Sequence, residues 1–187
     1  FIFLPAATVG LIKPLTASHV VRNLSEGVVR VVILLVYMRL CCLSPDVKRL
    51  FSYHGAEHKT IFCYEHGKAL TVENVRPESR FHPRCGTSFL LVVVVVSILV
   101  NSVVRADNSF VRMGWHLLLL PVVVGISYEI NRWCGLNDNW LSAALSAPGK
   151  WLQHMTTNEP DDGMIECAIR AMELVIPDEK GSDEWGR

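Results

Sequence analysis

Residues 53–62, "YHGAEHKTIF", contain side chains whose types and spacing suit metal chemistry. His54 and His58 are four residues apart, so in a helix their imidazoles lie on one face, and Glu57 lies in the same sector. The order H-x-x-E-H is the inverted form of the zinc-protease helix signature, in which two histidines bind zinc and the glutamate deprotonates the water that zinc holds. The stretch therefore predicts a zinc site with Glu57 as the general base.

A second stretch, "FHPRCGTSF" (81–89), can complete that site. His82 and Cys85 are three residues apart at a helix entrance, where a thiol is favoured as the thiolate. Thiolate and imidazole together favour zinc over magnesium or calcium. The predicted cofactor is Zn²⁺, and the predicted ligands are His54, His58, His82 and Cys85. Further groups that could support or replace these ligands are Glu65, Arg84 and Glu129.

The same residues also fit a structural role. The chain has 7 histidines in 187 residues, so a chance pair four residues apart is not rare. A hydrogen-bonded network of His, Glu and Arg could fix helix ends without metal, and Arg84 could equally pair with an anionic substrate group. Glu129 could pair with Arg84 or Arg132 instead of binding metal. Four protein ligands on one zinc would close a structural site with no position left for substrate.

Local signals define the elements that must position these residues. Ser44 as N-cap and Pro45 in the first turn predict a helix that ends at Gly67. Residues 68–75, "KALTVENV", indicate a short extended piece with a turn, and residues 76–86 indicate a loop. This arrangement predicts a histidine-bearing helix followed by a loop that carries the cysteine.

The composition favours a membrane protein and excludes a nucleic-acid-binding one. Hydrophobic residues make up 50% of the chain, charged residues make up 19%, and the net charge is zero, so there is no excess of Lys and Arg to neutralise phosphates. Apolar blocks at 28–43, 89–104 and 115–130 each approach the length of about 20 residues that a spanning helix needs. The alternative for a block such as "LLVVVVVSILV" is a buried β-strand of a soluble protein.

We expect an all-α, polytopic membrane helix bundle that forms a single membrane domain, 1–187, with about four spans. The chain lacks an initiator Met and opens in apolar sequence, so residues 1–12 are expected to be the end of a truncated first span. Lys and Arg are concentrated in 44–88 and 131–187, which should therefore be cytoplasmic in a multi-pass protein of the cell membrane. The cysteines fall near that side and should be reduced.

The tail is expected to be amphipathic rather than spanning. Residues 139–155, "NWLSAALSAPGKWLQHM", should be broken at Pro148 and carry Trp140 and Trp151 for a membrane–water interface. A further amphipathic helix should follow "TTNEPDD", in which Thr157, Asn158 and Asp161 are capping residues. Glu159 is expected to cap that helix, with closure on the metal site as the alternative.

Several strings in the chain resemble those of one bacterial family. They are "YHGAEHKTI", "LTVENVR", "HPRCGTSFL", "LLPVVVGISYEI", "PGKWLQHMTTNEP" and "IECAIRAMELV". They closely resemble the YqhQ-like family of integral membrane proteins, which carries the label "predicted metal-dependent enzyme". The resemblance implies a metal, an enzyme and a chain that corresponds to the C-terminal membrane portion of longer relatives. The residues to which it points are His54, Glu57, His58, Glu73, Asn74, His82, Arg84, Cys85 and Glu129.

Three functions from different classes remain. The first is a zinc-dependent hydrolase at the cytoplasmic membrane surface, whose partners are the lipid bilayer and a membrane-protein or lipid substrate. The second is a non-enzymatic scaffold or an insertion or secretion accessory with a structural metal or a polar cluster. The third is a transporter or pore, which has the kink-forming Pro121 before Glu129 in its favour and the lack of an inverted repeat against it.

Overall fold

The computed structural model describes residues 3–10, 18–104, 109–137 and 139–178. Within these ranges the secondary structure is helical and no strand occurs, which confirms the predicted all-α class. The described helices are α1 (Phe3–Gly10), α2 (His19–Cys41), α3 (Pro45–Glu65), α4 (Val72–Val75), α5 (Gly86–Ser102), α6 (Ser109–Leu136), α7 (Trp140–Thr156) and α8 (Asp162–Glu173). Parts of the expected first span, of the connection 105–114 and of the tail lie outside the described residues: 1, 2, 11, 12, 105–108, 138 and 179–187.

The chain divides into two compact units. One comprises Phe1–Arg39 and Phe89–Trp133, and the other comprises Leu40–Ser88 and Cys134–Arg187. In the first unit, Gly27 of α2 is the point of close approach to α5, since a Cβ there would lie 2.6 Å from Ile98. The buried Asn23 amide donates to the main-chain oxygens of Asn101 at 2.9 Å and Val104 at 3.1 Å.

The membrane prediction is supported in a coarser form than a four-span bundle. Among the described residues, Met113–Leu136 of α6 is the one helix long and apolar enough to cross a membrane, and 11% of its most apolar window is buried. Helix α5 is apolar but has 17 residues. Helix α2 carries Arg22, Glu26, Arg30 and Arg39, and it passes the test only together with α3, across a bend of 101°. Arg30 and Arg39 lie in the block 28–43, and Arg22 and Glu26 lie in the flank that would have to lengthen it into a span.

The predicted boundaries of α3 are confirmed. The helix begins at Pro45, directly after an extended Ser44, and Gly67 adopts a φ of 67°, which ends it. The prediction of an extended piece over 68–75 is wrong in its second half. Val72–Val75 form a short helix, because the Thr71 side chain accepts a hydrogen bond from the Asn74 N–H.

The predicted break at Pro148 is also wrong, because α7 continues through it to Thr156. A proline removes one backbone donor, and burial can hold the helix together across that gap. Gly149, Leu152 and Gln153, which follow the proline, are all buried. The helix starts with a reciprocal capping box between Asn139 and Ser142.

The apolar core of the second unit lies where α3 meets α4 and α8. Its buried members are Ala56, Cys63, Val75, Ile165 and Ile169. Helix α8 is amphipathic as predicted, and Asp161 caps it by accepting from the Met164 N–H at 2.9 Å. Helix α3 is therefore fixed on one side by apolar packing, and its histidines lie along a helix that cannot easily rotate.

Candidate metal centre

Two imidazole rings of α3 are oriented by main-chain oxygens. The Nδ1 atom of His54 lies 2.8 Å from the carbonyl oxygen of Thr156, and Nδ1 of His58 lies 2.6 Å from that of Arg80. A carbonyl oxygen only accepts, so each Nδ1 must donate its proton. In the neutral ring, Nε2 is then left as the lone-pair atom, which is the state that binds a metal ion.

The thiol of Cys85 faces these nitrogens. Its Sγ lies 3.4 Å from His54 Nε2, and the rings of His54 and His58 have centroids 4.3 Å apart. One ligand atom from each of His54, His58 and Cys85 lies within 4.8 Å of the other two. Cys85 and His58 are buried, whereas His54 is half-buried. Three ligands of this type fit the donor set of a zinc ion.

The electrostatics of the group favour a thiolate. Burial, the largest influence on Cys85, opposes ionisation, but hydrogen bonds from His54, His58 and Thr87 outweigh it and lower the pKa of Cys85 to about 5. The hydrogen bond to Cys85 in turn raises the pKa of His54. A thiolate is the form of cysteine that binds metal, so the protein environment prepares Cys85 for that role.

A short segment after α7 holds the His54 ring in place. The Asn158 N–H donates to the Phe51 carbonyl at 2.9 Å, and the Asn158 side chain donates to the Lys48 carbonyl at 3.1 Å. Gly55 permits this approach, because a Cβ at that position would overlap the Asn158 carbonyl oxygen. The segment brings the Thr156 carbonyl to His54, and residues 156–159 are called the strap below.

The cysteine loop is fixed to α7 by one buried amide. Gln153, fully buried, accepts from the His82 N–H at 2.8 Å and donates to the His82 carbonyl at 2.7 Å. Its side-chain nitrogen also donates a hydrogen bond to the Ser88 hydroxyl at 2.7 Å. These bonds fix both ends of residues 82–88, and Cys85 lies in the middle of that range.

His82 belongs to a different network from the other predicted ligands. Its Nδ1 accepts from the Arg84 N–H at 3.2 Å, and its Nε2 lies 3.3 Å from a Glu65 oxygen, to which it can donate. Glu65 also pairs with the Arg84 guanidinium. Both ring nitrogens of His82 are therefore engaged. The group of His82, Glu65 and Arg84 is called the polar clasp below, and it matches the hydrogen-bonded alternative to metal binding.

The other predicted carboxylates lie at different places. Glu57 is exposed on α3 beside the two histidines, and its charge contributes to the raised pKa of His54. Glu73 is exposed on α4. Glu129 lies in the first unit and pairs with Arg132 at 3.9 Å. The structure therefore brings His54, His58 and Cys85 together, with Glu57 beside them.

The expected cap role of Glu159 is wrong, since Asp161 occupies that position. Glu159 instead pairs with Lys59 at 2.9 Å and with Arg80 at 3.3 Å. Arg80 also donates to the main-chain oxygen of Thr157, so these contacts join the strap to the loop that orients His58. The capping rule is local and could not show that a buried Lys59 lies opposite Glu159.

Sequence reasoning missed several residues that shape the centre. Thr156 and Arg80 act through carbonyl oxygens, which leave no trace in side-chain type. Thr87 was missed although its hydroxyl lies 3.1 Å from Cys85 Sγ and 3.3 Å from the Thr156 hydroxyl. Gln153 carried a weak signal, as an uncharged amide in a helix rich in apolar residues.

Comparison with known proteins gives a family but no described activity. The family model with the description "Protein of unknown function (DUF1385)" matches residues 1–178. "Uncharacterized protein YqhQ" of Bacillus subtilis (strain 168) is 37% identical over 177 residues, which are 94% of this chain and 56% of that protein. The chain thus spans about half the length of this curated relative. No solved structure matches the chain.

Proposed function

The chain belongs to the DUF1385 family of proteins of unknown function, and from its site we propose that it is a zinc-dependent hydrolase at a membrane surface. His54, His58 and Cys85 would hold the ion. When bound, zinc supplies the positive charge that acidifies a water molecule and polarises a carbonyl or phosphoryl oxygen.

One observation carries this proposal: both histidines donate Nδ1–H to carbonyl oxygens. Metal-binding histidines usually donate their second nitrogen to a carbonyl or carboxylate, which fixes the ring and its tautomer. Two such rings and a thiolate-favouring cysteine converge within 4.8 Å.

The polar clasp favours an open site over a closed structural one. A closed tetrahedral zinc would take His82 as its fourth ligand. His82 would then lose its hydrogen bond with Glu65 or the one from the Arg84 N–H, and these two bonds hold it in the polar clasp. Three protein ligands leave the fourth position for water or substrate, as in catalytic zinc sites.

Glu57 is the residue that we assign as general base. It is exposed on the turn that carries both histidines, so its carboxylate can reach a water molecule from the solvent side. Its neighbour His58 is buried. Lys59, also buried, is held by the Arg76 carbonyl at 2.9 Å and by Glu159. The turn around Glu57 is therefore fixed on its inner side.

The membrane location rests on α6, which is long and apolar enough to span. We place the site on the cytoplasmic side, because Lys and Arg are concentrated in the segments that carry it. At that location the protein would hydrolyse ester, phosphoester or amide bonds in membrane components.

The test is the zinc content per chain of detergent-purified protein, for the wild type and for single variants. We expect about one zinc in the wild type, loss in His54→Ala, and retention in His82→Ala, because His82 belongs to the polar clasp. His154→Ala is the matched control, since His154 is an exposed histidine on α7 that bonds the Trp151 carbonyl. Zinc that His82→Ala also loses would indicate a closed structural site, and a wild type without zinc would refute the proposal.

A further inference from the structure

Helix α7 has an exposed face without a single charged residue. The exposed positions of Trp140–Thr156 are Trp140, Leu141, Ala143, Ala144, Leu145, Ala147, Pro148, Trp151 and His154. Trp140 is 80% exposed and Trp151 is 56% exposed, which is unusual for side chains of this size. The first eight of these residues are called the outer face of α7. A water-facing helix of this length normally carries charges on such a surface.

The opposite face of the same helix belongs to the metal centre. Its buried residues are Ser142, Gly149, Leu152, Gln153 and Thr156. Gln153 holds the His82 backbone, and the Thr156 carbonyl orients His54. Gly149 permits close packing, because a Cβ there would lie 2.6 Å from the Ser88 side chain. Whatever covers the outer face therefore lies one helix diameter, about 10 Å, from the candidate centre.

Chain connectivity indicates what covers it. Residues 137–139 alone separate α7 from Leu136, the last residue of the helix that can span a membrane. Three residues extend at most about 10 Å, so α7 begins at the end of that span. Within the second unit, the aliphatic carbons of Arg84 lie 3.1 Å from the position of a Cβ on Gly135, in the last turn of α6. The cysteine loop thus packs against the same end of α6.

We propose that the outer face of α7 lies in the interfacial layer of the lipid bilayer, with the helix parallel to the membrane plane. Tryptophan is favoured at that depth, because its ring is apolar while its N–H stays near the head groups. Helix α7 has no acidic residue, and its one formal cation is the half-buried Lys150, so no charge opposes insertion near anionic lipid. If the proposed function holds, its substrate reaches the centre at the level of the lipid head groups.

The test uses tryptophan fluorescence of the full chain in phosphatidylcholine vesicles. A variant that keeps only Trp140 and Trp151, with Phe at 115, 133 and 185, is compared in ordinary lipid and in lipid brominated at carbons 6 and 7 of one acyl chain. We expect bromine to lower its emission at least twofold, and iodide in the water to quench it weakly. The control moves the fluorophore to α8 by adding Glu166→Trp to the chain with all native tryptophans replaced by Phe. Position 166 is exposed and lies opposite the apolar core, so we expect quenching by iodide and not by bromine.

Two results would overturn the proposal. Strong iodide quenching of Trp140 and Trp151 without an effect of bromine would place the outer face in water. Insensitivity to both quenchers would mean that protein covers it. Zinc is measured in the same samples. Bromine quenching in a chain that binds no zinc would support the lipid docking of α7 and refute the proposed zinc-dependent hydrolase.

Discussion

At the residue scale, the candidate centre depends on which nitrogen of each histidine carries the proton. The carbonyl oxygens of Thr156 and Arg80 fix Nδ1 as the donor on His54 and His58, and Cys85 faces the remaining nitrogens. The ionisation of the thiol is thereby coupled to two rings whose orientation is set by distant parts of the chain. This coupling can be measured without knowledge of the substrate.

The first prediction concerns the alkylation of Cys85 in metal-free protein. With a pKa of about 5, the thiol is already ionised at pH 6, so its reaction rate with iodoacetamide should change little between pH 6 and 8. An ordinary thiol, with a pKa of about 8.5, gains roughly tenfold in rate per pH unit over that range. Peptide mass spectrometry of Cys85 in folded and urea-unfolded chains measures both profiles. A tenfold rise per pH unit in the folded chain would show that Cys85 is an ordinary thiol.

The second prediction concerns Glu65 of the polar clasp. Burial disfavours its carboxylate, but His82 and Arg84 outweigh that effect and lower the pKa of Glu65. A lowered pKa stabilises the fold fully above the ordinary carboxyl value of about 4.3, and this contribution is lost as the pH falls through the lowered pKa of the folded state. Glu65→Gln should therefore cost about 1 kcal/mol at pH 7, or a few degrees in melting temperature, and clearly less at pH 3.5. An equal loss at both pH values would exclude the charged clasp as the cause.

At the element scale, α3 is a support to which two distant segments attach. Its limits could be predicted, because Pro45 and Gly67 act within two residues of the helix ends, although the Ser44 side chain forms no cap hydrogen bond. The shared face of His54 and His58 follows from helical periodicity. The Thr156 carbonyl lies 102 residues from its partner, and no local pattern predicts that contact. Local rules also failed for Pro148, where burial of the following turn overrides the missing backbone donor.

The third prediction concerns the point where the strap crosses α3. Gly55→Ala would place a methyl group on the Asn158 carbonyl and push the strap, with the Thr156 carbonyl, away from His54. Loss of a hydrogen bond to a metal-binding histidine typically lowers metal affinity 10- to 100-fold. We expect Gly55→Ala to bind zinc more weakly than the wild type by a factor in that range. Gly125→Ala on α6 is the control, because nothing lies within 4 Å of a Cβ there. Competition with a chromogenic chelator gives the zinc affinities of both variants. Equal affinities would show that the strap does not support zinc binding.

At the scale of the whole molecule, the sequence predicts the helical class better than it predicts which apolar blocks form helices long enough to span a membrane. Composition alone favours several spans, but α2 carries buried polar side chains such as Asn23 and Glu26. The Asn23 amide joins α2 to α5, and such buried polar residues lower the apolar character of α2. The proposed membrane attachment rests on α6, which is long and apolar enough to cross a membrane.

The fourth prediction tests that attachment. Leu118 and Val122 are exposed near the middle of α6, at 67% and 51%. Arginine at the centre of a spanning helix costs about 2.5 to 3.5 kcal/mol per residue, so the double variant Leu118→Arg/Val122→Arg should fail to insert α6. Carbonate-washed membranes should retain the wild type and the control Leu174→Arg, whose leucine is 87% exposed beyond α8, and should retain much less of the double variant. Unchanged retention of the double variant would show that α6 does not anchor the chain.

The most direct test of the zinc centre is X-ray absorption at the zinc edge of the purified full chain. We expect the zinc ion to have one sulfur neighbour at about 2.3 Å and three nitrogen or oxygen neighbours at about 2.0 to 2.1 Å. Two of these three should belong to imidazole rings. In Cys85→Ser the sulfur contribution should disappear. A shell with three imidazoles would show a closed site that includes His82. A spectrum without sulfur, or one that Cys85→Ser leaves unchanged, would contradict the assignment of His54, His58 and Cys85 as the metal centre.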